Sequence, residues 1–101
     1  MATMKILAIE NEAEGVTAED FRPYLKAEAM RAWELYQAGV FREINFTKGD
    51  DPVAVIMMEC GSVEEARQAL DTLPLVKAGL ISFELMPLVP YPGFARLFAD
   101  N

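Results

Sequence analysis

The chain has 101 residues, 52% of them hydrophobic, which is enough for one compact domain with a modest core and leaves no room for a second. Its formal net charge is -7 and no cluster of Lys or Arg offsets it locally, so nucleic acids and anionic lipid surfaces are excluded as expected partners. The absence of histidine removes the usual transition-metal ligand sets and the Ser/His and Cys/His dyads.

Three features of the sequence bear on its location. Cys60 is the single cysteine, so the chain forms no internal disulfide. The first residues carry one basic side chain, Lys5, and no long apolar run of the kind found in secretory leaders. No apolar stretch approaches the ~20 residues that cross a bilayer. Together these features predict a cytoplasmic protein without membrane contact.

The first predicted strand runs from Met4 to Glu10 and is apolar at both odd and even positions. A strand of that kind has to be covered on both faces of its sheet. Residues 11–16 follow as a loop, and Thr17 with Asp20 three residues later is typical of the start of a helix.

The first predicted helix contains a proline near its start. Pro23 lies too deep for an ordinary first-turn position, so we expect the first turn to break before the main helix runs from about Pro23 to Ala38 and ends at Gly39. Apolar residues at helical spacing form its predicted inner face: Phe21, Leu25, Ala29, Ala32 and Tyr36. Charged side chains fall largely outside that face: Lys26, Glu28, Arg31 and Glu34.

The middle of the chain predicts a β-hairpin. Val40 to Thr47 is rich in β-branched and aromatic residues, and residues 48–52 (Lys-Gly-Asp-Asp-Pro) form a turn. Val53 to Cys60 is the most apolar segment, so we expect it at the centre of the sheet.

The second predicted helix begins with a capping box formed by Ser62 and Glu65. Pro74 is expected to close this helix, residues 75–79 to turn the chain, and Leu80 to Leu88 to form the last strand. The inner face of the helix is marked by Ala66, Ala69, Leu70 and Leu73.

Residues 87–101 are predicted to form a tail. Its prolines at positions 87, 90 and 92 favour extended chain. Four large apolar side chains in eight residues are unusual for a disordered end, so we expect this tail to wrap a partner rather than to fray: Tyr91, Phe94, Leu97 and Phe98.

The element order βαββαβ predicts an α+β fold, the ferredoxin-like antiparallel sheet with two helices on one face. Because the first and third strands are apolar on both faces, the helix-free face would expose more than the roughly 300 to 600 Å² usual for a monomer's largest apolar patch. A second copy packed face to face would cover it and give a dimeric α+β barrel.

Three short segments carry a likeness to a known family: Gly39-Val40-Phe41-Arg42, Ser62-Val63-Glu64-Glu65-Ala66, and Leu73-Pro74-Leu75. Over about residues 24–86 the chain resembles the muconolactone isomerase family of the dimeric α/β barrel superfamily. The resemblance implies a homodimer with a small-molecule pocket between the helix-free sheet face and the partner. It also implies proton-transfer or oxygen chemistry without a metal or organic cofactor.

An acid or base in this chain has to be Glu, Asp, Lys, Tyr or Cys. Charged residues inside apolar strands are favoured, because a dry cavity destabilises an ionised carboxyl. Glu59 and Glu84 meet this description and are our candidate base and acid. Strand alternation sends Arg42 and Glu43 to opposite faces, and Arg42 is our candidate for orienting a substrate carboxylate and stabilising an enolate. The alternative for each is a strand-end charge in solvent or in an ion pair.

Other residues are candidates for contact with a ligand. Trp33 and Tyr36 can cap a pocket mouth, and Met58 can line an adaptable pocket, whereas the alternative for all three is core packing. Cys60 is either a reactive thiol or, as we favour, a small buried hydrophobe. Glu10 either enters the pocket or ends the first strand, and its terminal position favours the second interpretation.

These patterns and the resemblance together predict a homodimeric, cofactor-independent enzyme that moves a proton on an unsaturated lactone or ring compound. The ligand is expected to be small and mostly apolar, and anionic if Arg42 binds it. Two other functions stay open, which are a non-catalytic dimer that binds a small molecule and an apolar face that serves assembly alone.

Overall fold

The structure is a computed structural model and describes residues 3–99. The strands are β1 Met4–Glu12, β2 Phe41–Phe46, β3 Ala54–Cys60 and β4 Ile81–Leu88. The helices are α1 Ala18–Phe21, α2 Leu25–Gln37, α3 Val63–Leu70 and α4 Pro74–Lys77, with 3₁₀ turns at Arg22–Tyr24 and Gly93–Phe98.

The strands form one sheet in the order β2-β3-β1-β4, and every neighbouring pair is antiparallel. The most apolar segment, β3, occupies a central position, as its sequence predicts. The α+β class with an antiparallel sheet is confirmed, and the strand order is compatible with a ferredoxin-like fold.

The two faces of the sheet differ in their cover. Ile6 and Ala8 of β1 are fully buried, and together with residues of α2, α3 and α4 they form the core on the helix side. Alternate residues point to the opposite face, which we call the free face. Its central row places Leu7 between Met57 and Met86, and the next row places Ile9 beside Val55. These five apolar side chains are half-buried or exposed.

The first helix breaks at its proline, as predicted. Thr17 precedes α1, Pro23 lies in the 3₁₀ turn, and α2 begins at Leu25. The break arises because a proline ring has no N–H to donate and clashes with the preceding turn.

The second helix differs from its prediction at its end. Ser62 caps α3 by accepting a hydrogen bond from the Glu65 N–H, and the Glu65 carboxylate accepts one from the Gly61 N–H. However, α3 ends at Leu70, and Pro74 begins α4 instead of closing α3. A proline suits the first position of a helix, where its missing N–H has no partner to lose.

The tail begins later than predicted and is not fully extended. Pro87 and Leu88 belong to the edge strand β4, residues 93–98 form a 3₁₀ turn, and the last two residues lie outside the described part of the chain. Phe94 is 67% exposed and Phe98 is 85% exposed. The Cα radius of gyration is 16.3 Å, whereas a compact chain of this length has about 13 Å. The tail therefore leaves its apolar side chains largely uncovered by its own chain.

Candidate functional site

A cavity of about 460 Å³ lies on the helix side of the sheet, between α1, α2 and the strands. We call it the helix-side cavity. Its volume falls within the ~300 to 1,000 Å³ of small-molecule sites. The lining is apolar except for three carboxyl groups: Glu10, Glu12, Ala18, Phe21, Leu25, Glu28, Ala29, Ala32, Ile44, Phe46, Pro52, Ala54, Ile56, Leu73, Leu75, Ile81 and Phe83.

Small side chains create the space in this cavity. Ala29 and Ala32 stand on the inner face of α2, and Ala54 lines the cavity from β3. Larger residues at such positions would fill the gap between helix and sheet, since protein interiors pack to nearly crystalline density. The predicted inner face of the first helix is correct in part: Ala29 and Ala32 line the cavity, whereas Tyr36 is 50% exposed and lies outside it, and Leu35 is buried instead.

Glu10 projects from β1 into the helix side, and the residue is 8% exposed. Its Oε1 accepts a hydrogen bond from the Ala54 N–H at 2.7 Å. Burial raises the pKa of Glu10 above its ordinary value, the Glu12 charge raises it further, and the Ala54 hydrogen bond offsets part of this effect. Glu10 is thus a carboxyl whose protonated form is favoured by the fold.

Glu28 enters the same cavity from α2. Its Oε1 accepts a hydrogen bond from the Leu75 N–H at 2.9 Å. That N–H belongs to the first turn of α4, which has no intrahelical partner for it, so Glu28 also caps this short helix. Burial raises the pKa of Glu28, the Leu75 hydrogen bond opposes the rise, and the Glu10 charge adds to it.

Glu10 and Glu28 together form what we call the carboxyl pair. Each uses one oxygen to accept a backbone hydrogen bond, and no hydrogen bond joins the second oxygen of either to another of residues 3–99. No polar side-chain atom is both fully buried and unpaired in that range, so the second oxygens remain within reach of a small molecule. The pair can therefore accept or donate a proton inside an apolar cavity.

Sequence reasoning misplaced both members of the pair. The favoured interpretation of Glu10 as the end of the first strand is wrong, because β1 continues to Glu12 and Glu10 is buried. Glu28 was expected outside the inner face of the helix, yet it lines the cavity. A signal was present: Glu28 follows Leu25 by three residues and precedes Leu35 by seven, which places all three on one side of a helix.

Two of the predicted catalytic residues lie side by side, and Arg42 also lines a second pocket together with Tyr36 at the end of α2. Arg42 Nε is 3.9 Å from Glu59 Oε1, and Glu59 stands opposite Lys5 in the sheet register. A bulge between Phe41 and Glu43 interrupts the alternation of β2 at Arg42. Simple alternation of side chains therefore cannot be used to place Arg42 and Glu43 on opposite faces of the sheet. Both Arg42 and Glu59 lie away from the helix-side cavity.

The third predicted catalytic residue, Glu84, is exposed on β4 and stands opposite Ile9. Glu59 stands opposite Lys5 on the other side of β1, so the two carboxyls are separated by two strand spacings and four residues, roughly 16 Å. One small ring compound cannot contact both within a single chain.

The predicted ligand-binding residues also lie outside the helix-side cavity. Trp33 and Tyr36 stack on each other with ring centroids 5.7 Å apart and are about half exposed, at 53% and 50%. Met58 is fully buried in the core. Cys60 is buried as well, and burial raises the pKa of its thiol, with the Glu65 charge adding to the rise. The favoured interpretation of Cys60 as a small buried hydrophobe is confirmed.

The carboxyl pair predicts a pH dependence of stability. Because both pKa values are raised above 4.5, the folded chain binds protons more tightly than the unfolded chain. This contribution to the free energy of unfolding is complete below pH 4.5 and is lost as the pH rises through the raised pKa values. The double variant Glu10→Gln/Glu28→Gln lacks this pH-dependent loss. In urea titrations, its free energy of unfolding relative to that of the wild type should therefore increase as the pH is raised from acidic to alkaline values.

A matched control for this experiment is Glu14→Gln, which removes an exposed carboxyl from the loop before α1. Its stability should follow that of the wild type at every pH. Parallel curves for the double variant and the wild type would show that the pair is not desolvated in the folded protein.

The fold and the site define a small α+β protein with an antiparallel sheet and an apolar cavity lined by one buried carboxyl, Glu10, and one half-buried carboxyl, Glu28. No protein-family model matches this chain, and neither does any curated protein. Within residues 3–99, no group of three or more His, Cys, Asp or Glu side chains is arranged to hold a metal ion. No helix in the same range combines the length and the apolar character needed to cross a membrane.

Proposed function

We propose that this protein is a cytoplasmic, cofactor-independent enzyme that moves a proton on a small unsaturated lactone or ring compound, similar to the muconolactone isomerases. We place the reaction in the helix-side cavity. The observation that carries this proposal is the carboxyl pair, buried Glu10 and half-buried Glu28, at the wall of an apolar space of about 460 Å³.

The chemistry follows from the interaction between the two carboxyls. Because ionised carboxyls in one apolar site repel each other, there is a pH range in which the pair holds one proton. The ionised member removes a proton from the carbon next to the substrate carbonyl. The protonated member donates a hydrogen bond to the carbonyl oxygen as negative charge develops there. Return of the proton to the far carbon of the conjugated system shifts the double bond and leaves the atom count unchanged.

The free-face residues Glu59, Glu84 and Arg42 remain an alternative catalytic set, in a chamber between two copies of the chain. Within one chain their separation argues against them. Arg42 Nε lies 3.9 Å from Glu59 Oε1, and neither residue lines the helix-side cavity. The helix-side cavity supports the reaction better because both of its carboxyls are desolvated.

The proposal is tested by deuterium exchange. The wild-type protein is incubated in D₂O with a panel of unsaturated five-membered lactones and cyclic enones, and NMR follows deuterium at the carbons next to and conjugated with the carbonyl. We expect exchange or isomerisation of at least one compound, faster than in buffer with an equal concentration of acetate. If compounds bind but none exchanges, the protein is a non-catalytic ligand-binding protein.

We also propose that a second copy of the chain covers the free face, which gives the predicted homodimer. Four strands of about seven residues span roughly 450 Å² in projection, whereas a stable interface buries about 800 Å² per partner. The area of the free face alone is therefore smaller than the area that a stable dimer buries. The exposed apolar side chains of the tail supply further area, and their own chain leaves them largely uncovered.

Removing the tail should weaken this dimer. A chain that ends at Leu88 loses several large apolar side chains, each worth about 1.5 to 3 kcal/mol if fully buried, so we expect dissociation to become at least about 100-fold easier. Sedimentation equilibrium measures the change. Met57→Lys, at the centre of the free face, should also dissociate the dimer, whereas Lys26→Glu on the exposed side of α2 should not. A full chain that sediments at 11.2 kDa at micromolar concentration contradicts the proposal.

A further inference from the structure

The charged residues that line the helix-side cavity are all acidic. They are Glu10, Glu12 and Glu28, and no Lys or Arg among residues 3–99 lines it. Two arginines on nearby helices use their side chains for hydrogen bonds outside the cavity. Arg31 donates to Thr72 and Glu34, and Arg67 donates to the Phe83 carbonyl oxygen. Neither arginine lines the cavity.

This arrangement disfavours an anionic ligand. A carboxylate or phosphate would bring a further negative charge into an apolar space that already holds acidic groups and no cation to pair with it. Burial of an unpaired charge is costly, and juxtaposed like charges cost several kcal/mol. Arg42, which the sequence suggested as the partner of a substrate carboxylate, is 3.9 Å from Glu59 on the free face instead.

The same arrangement favours a ligand that donates hydrogen bonds. Each carboxyl of the pair has a second oxygen without a hydrogen-bond partner among the described residues. Because these oxygens remain accessible, a hydroxyl on the ligand can donate a hydrogen bond to one of them within the apolar cavity. Alanine, leucine, isoleucine and phenylalanine side chains around it provide an apolar wall for a ring.

We propose that the helix-side cavity selects a mostly apolar ring compound that carries a hydrogen-bond donor such as a hydroxyl group, and that it rejects the corresponding carboxylate. This inference deepens the proposed function by naming the class of substrate. It rests on that proposal for the location of the site, but its test measures binding and needs no turnover.

The test uses three probes of one shape that differ in charge at pH 7: 4-methylphenol, 4-methylbenzoate and 4-methylbenzylamine. NMR shifts of the Ala29 and Ala32 methyl groups, which line the cavity, report binding at this site. We expect 4-methylphenol to bind at least about tenfold more tightly than 4-methylbenzoate. In Glu10→Gln/Glu28→Gln the difference should shrink to less than about threefold. Ala32→Phe, which fills the cavity, should abolish the shift of the remaining reporter, the Ala29 methyl group, for every probe.

Two results would overturn the inference: equal or tighter binding of 4-methylbenzoate than of 4-methylphenol, or no shift of these methyl groups with any probe. The outcome is separable from that of the exchange experiment. Selective binding of 4-methylphenol without any proton exchange contradicts the enzymatic proposal and supports the ligand class. If a carboxylate-bearing lactone undergoes exchange and binds as tightly as the same lactone without the carboxylate, the enzymatic proposal is supported and the ligand class is wrong.

Discussion

Glu10→Gln and Glu28→Gln are each expected to lower the rate of proton exchange on an active substrate by about 10²- to 10⁴-fold, the usual contribution of a positioned acid or base. The amide keeps the size of the side chain and can still accept the hydrogen bond from Ala54 or Leu75. It neither takes up nor releases a proton at neutral pH. The loss should appear mainly in kcat, with a smaller change in KM, in the deuterium-exchange assay.

Two variants on the other side of the sheet serve as controls. Glu59→Gln and Glu84→Gln change carboxyls of the free face, and we expect both to retain the wild-type rate. Circular dichroism checks that all four variants are folded. The opposite pattern, in which the free-face variants lose activity and the carboxyl-pair variants keep it, would move catalysis to a chamber between two copies of the chain.

Phe41→Ala should cost about 3 to 5 kcal/mol of stability. Phe41 is 1% exposed and lies opposite Met58 at the start of β2, so the truncation leaves a cavity in the core that joins the edge strand to the helices. A domain of this size is stabilised by about 5 to 15 kcal/mol, so this one change removes a large share of the total. Urea unfolding, followed by circular dichroism, measures it.

Phe46→Ala is the matched comparison for this prediction. It makes the same substitution five residues further along β2 on the same face of the sheet, but Phe46 is 65% exposed. Its loss should cost well under half as much as the loss of Phe41. An equal loss of unfolding free energy in the two variants would show that Phe41 is not buried in the core.

Local patterns were sufficient to predict most elements of this fold. The proline at position 23 broke the first helix, and Ser62 with Glu65 set the start of α3, because these effects depend on residues within one turn of each other. The end of α3 was misjudged for the same reason. Pro74 can end one helix or begin another, and the choice depends on the packing of Leu73 and Leu75 in the core.

The predicted site residues show the limit of alternation as a guide. A carboxyl within an apolar strand suggests a desolvated group, which favours Glu59 and Glu84, whereas the predicted position of Glu10 at the end of a strand favours a structural role. The bulge at Arg42 and the register of β1 with its neighbours decide where each one lies. A bulge and a register are set by contacts between strands, which no single segment of sequence encodes.

The period of hydrophobic residues along the chain is sufficient to predict the order of the strands, the α+β class and the apolar character of both sheet faces, but not the short helix α4. Tertiary packing determines which carboxyls are desolvated. Glu10 and Glu28 are 18 positions apart in the sequence, and both line the helix-side cavity, which α1, α2 and the strands enclose together. Burial depends on what the rest of the chain places around a residue, so the carboxyl pair becomes visible only once the helix lies on the sheet.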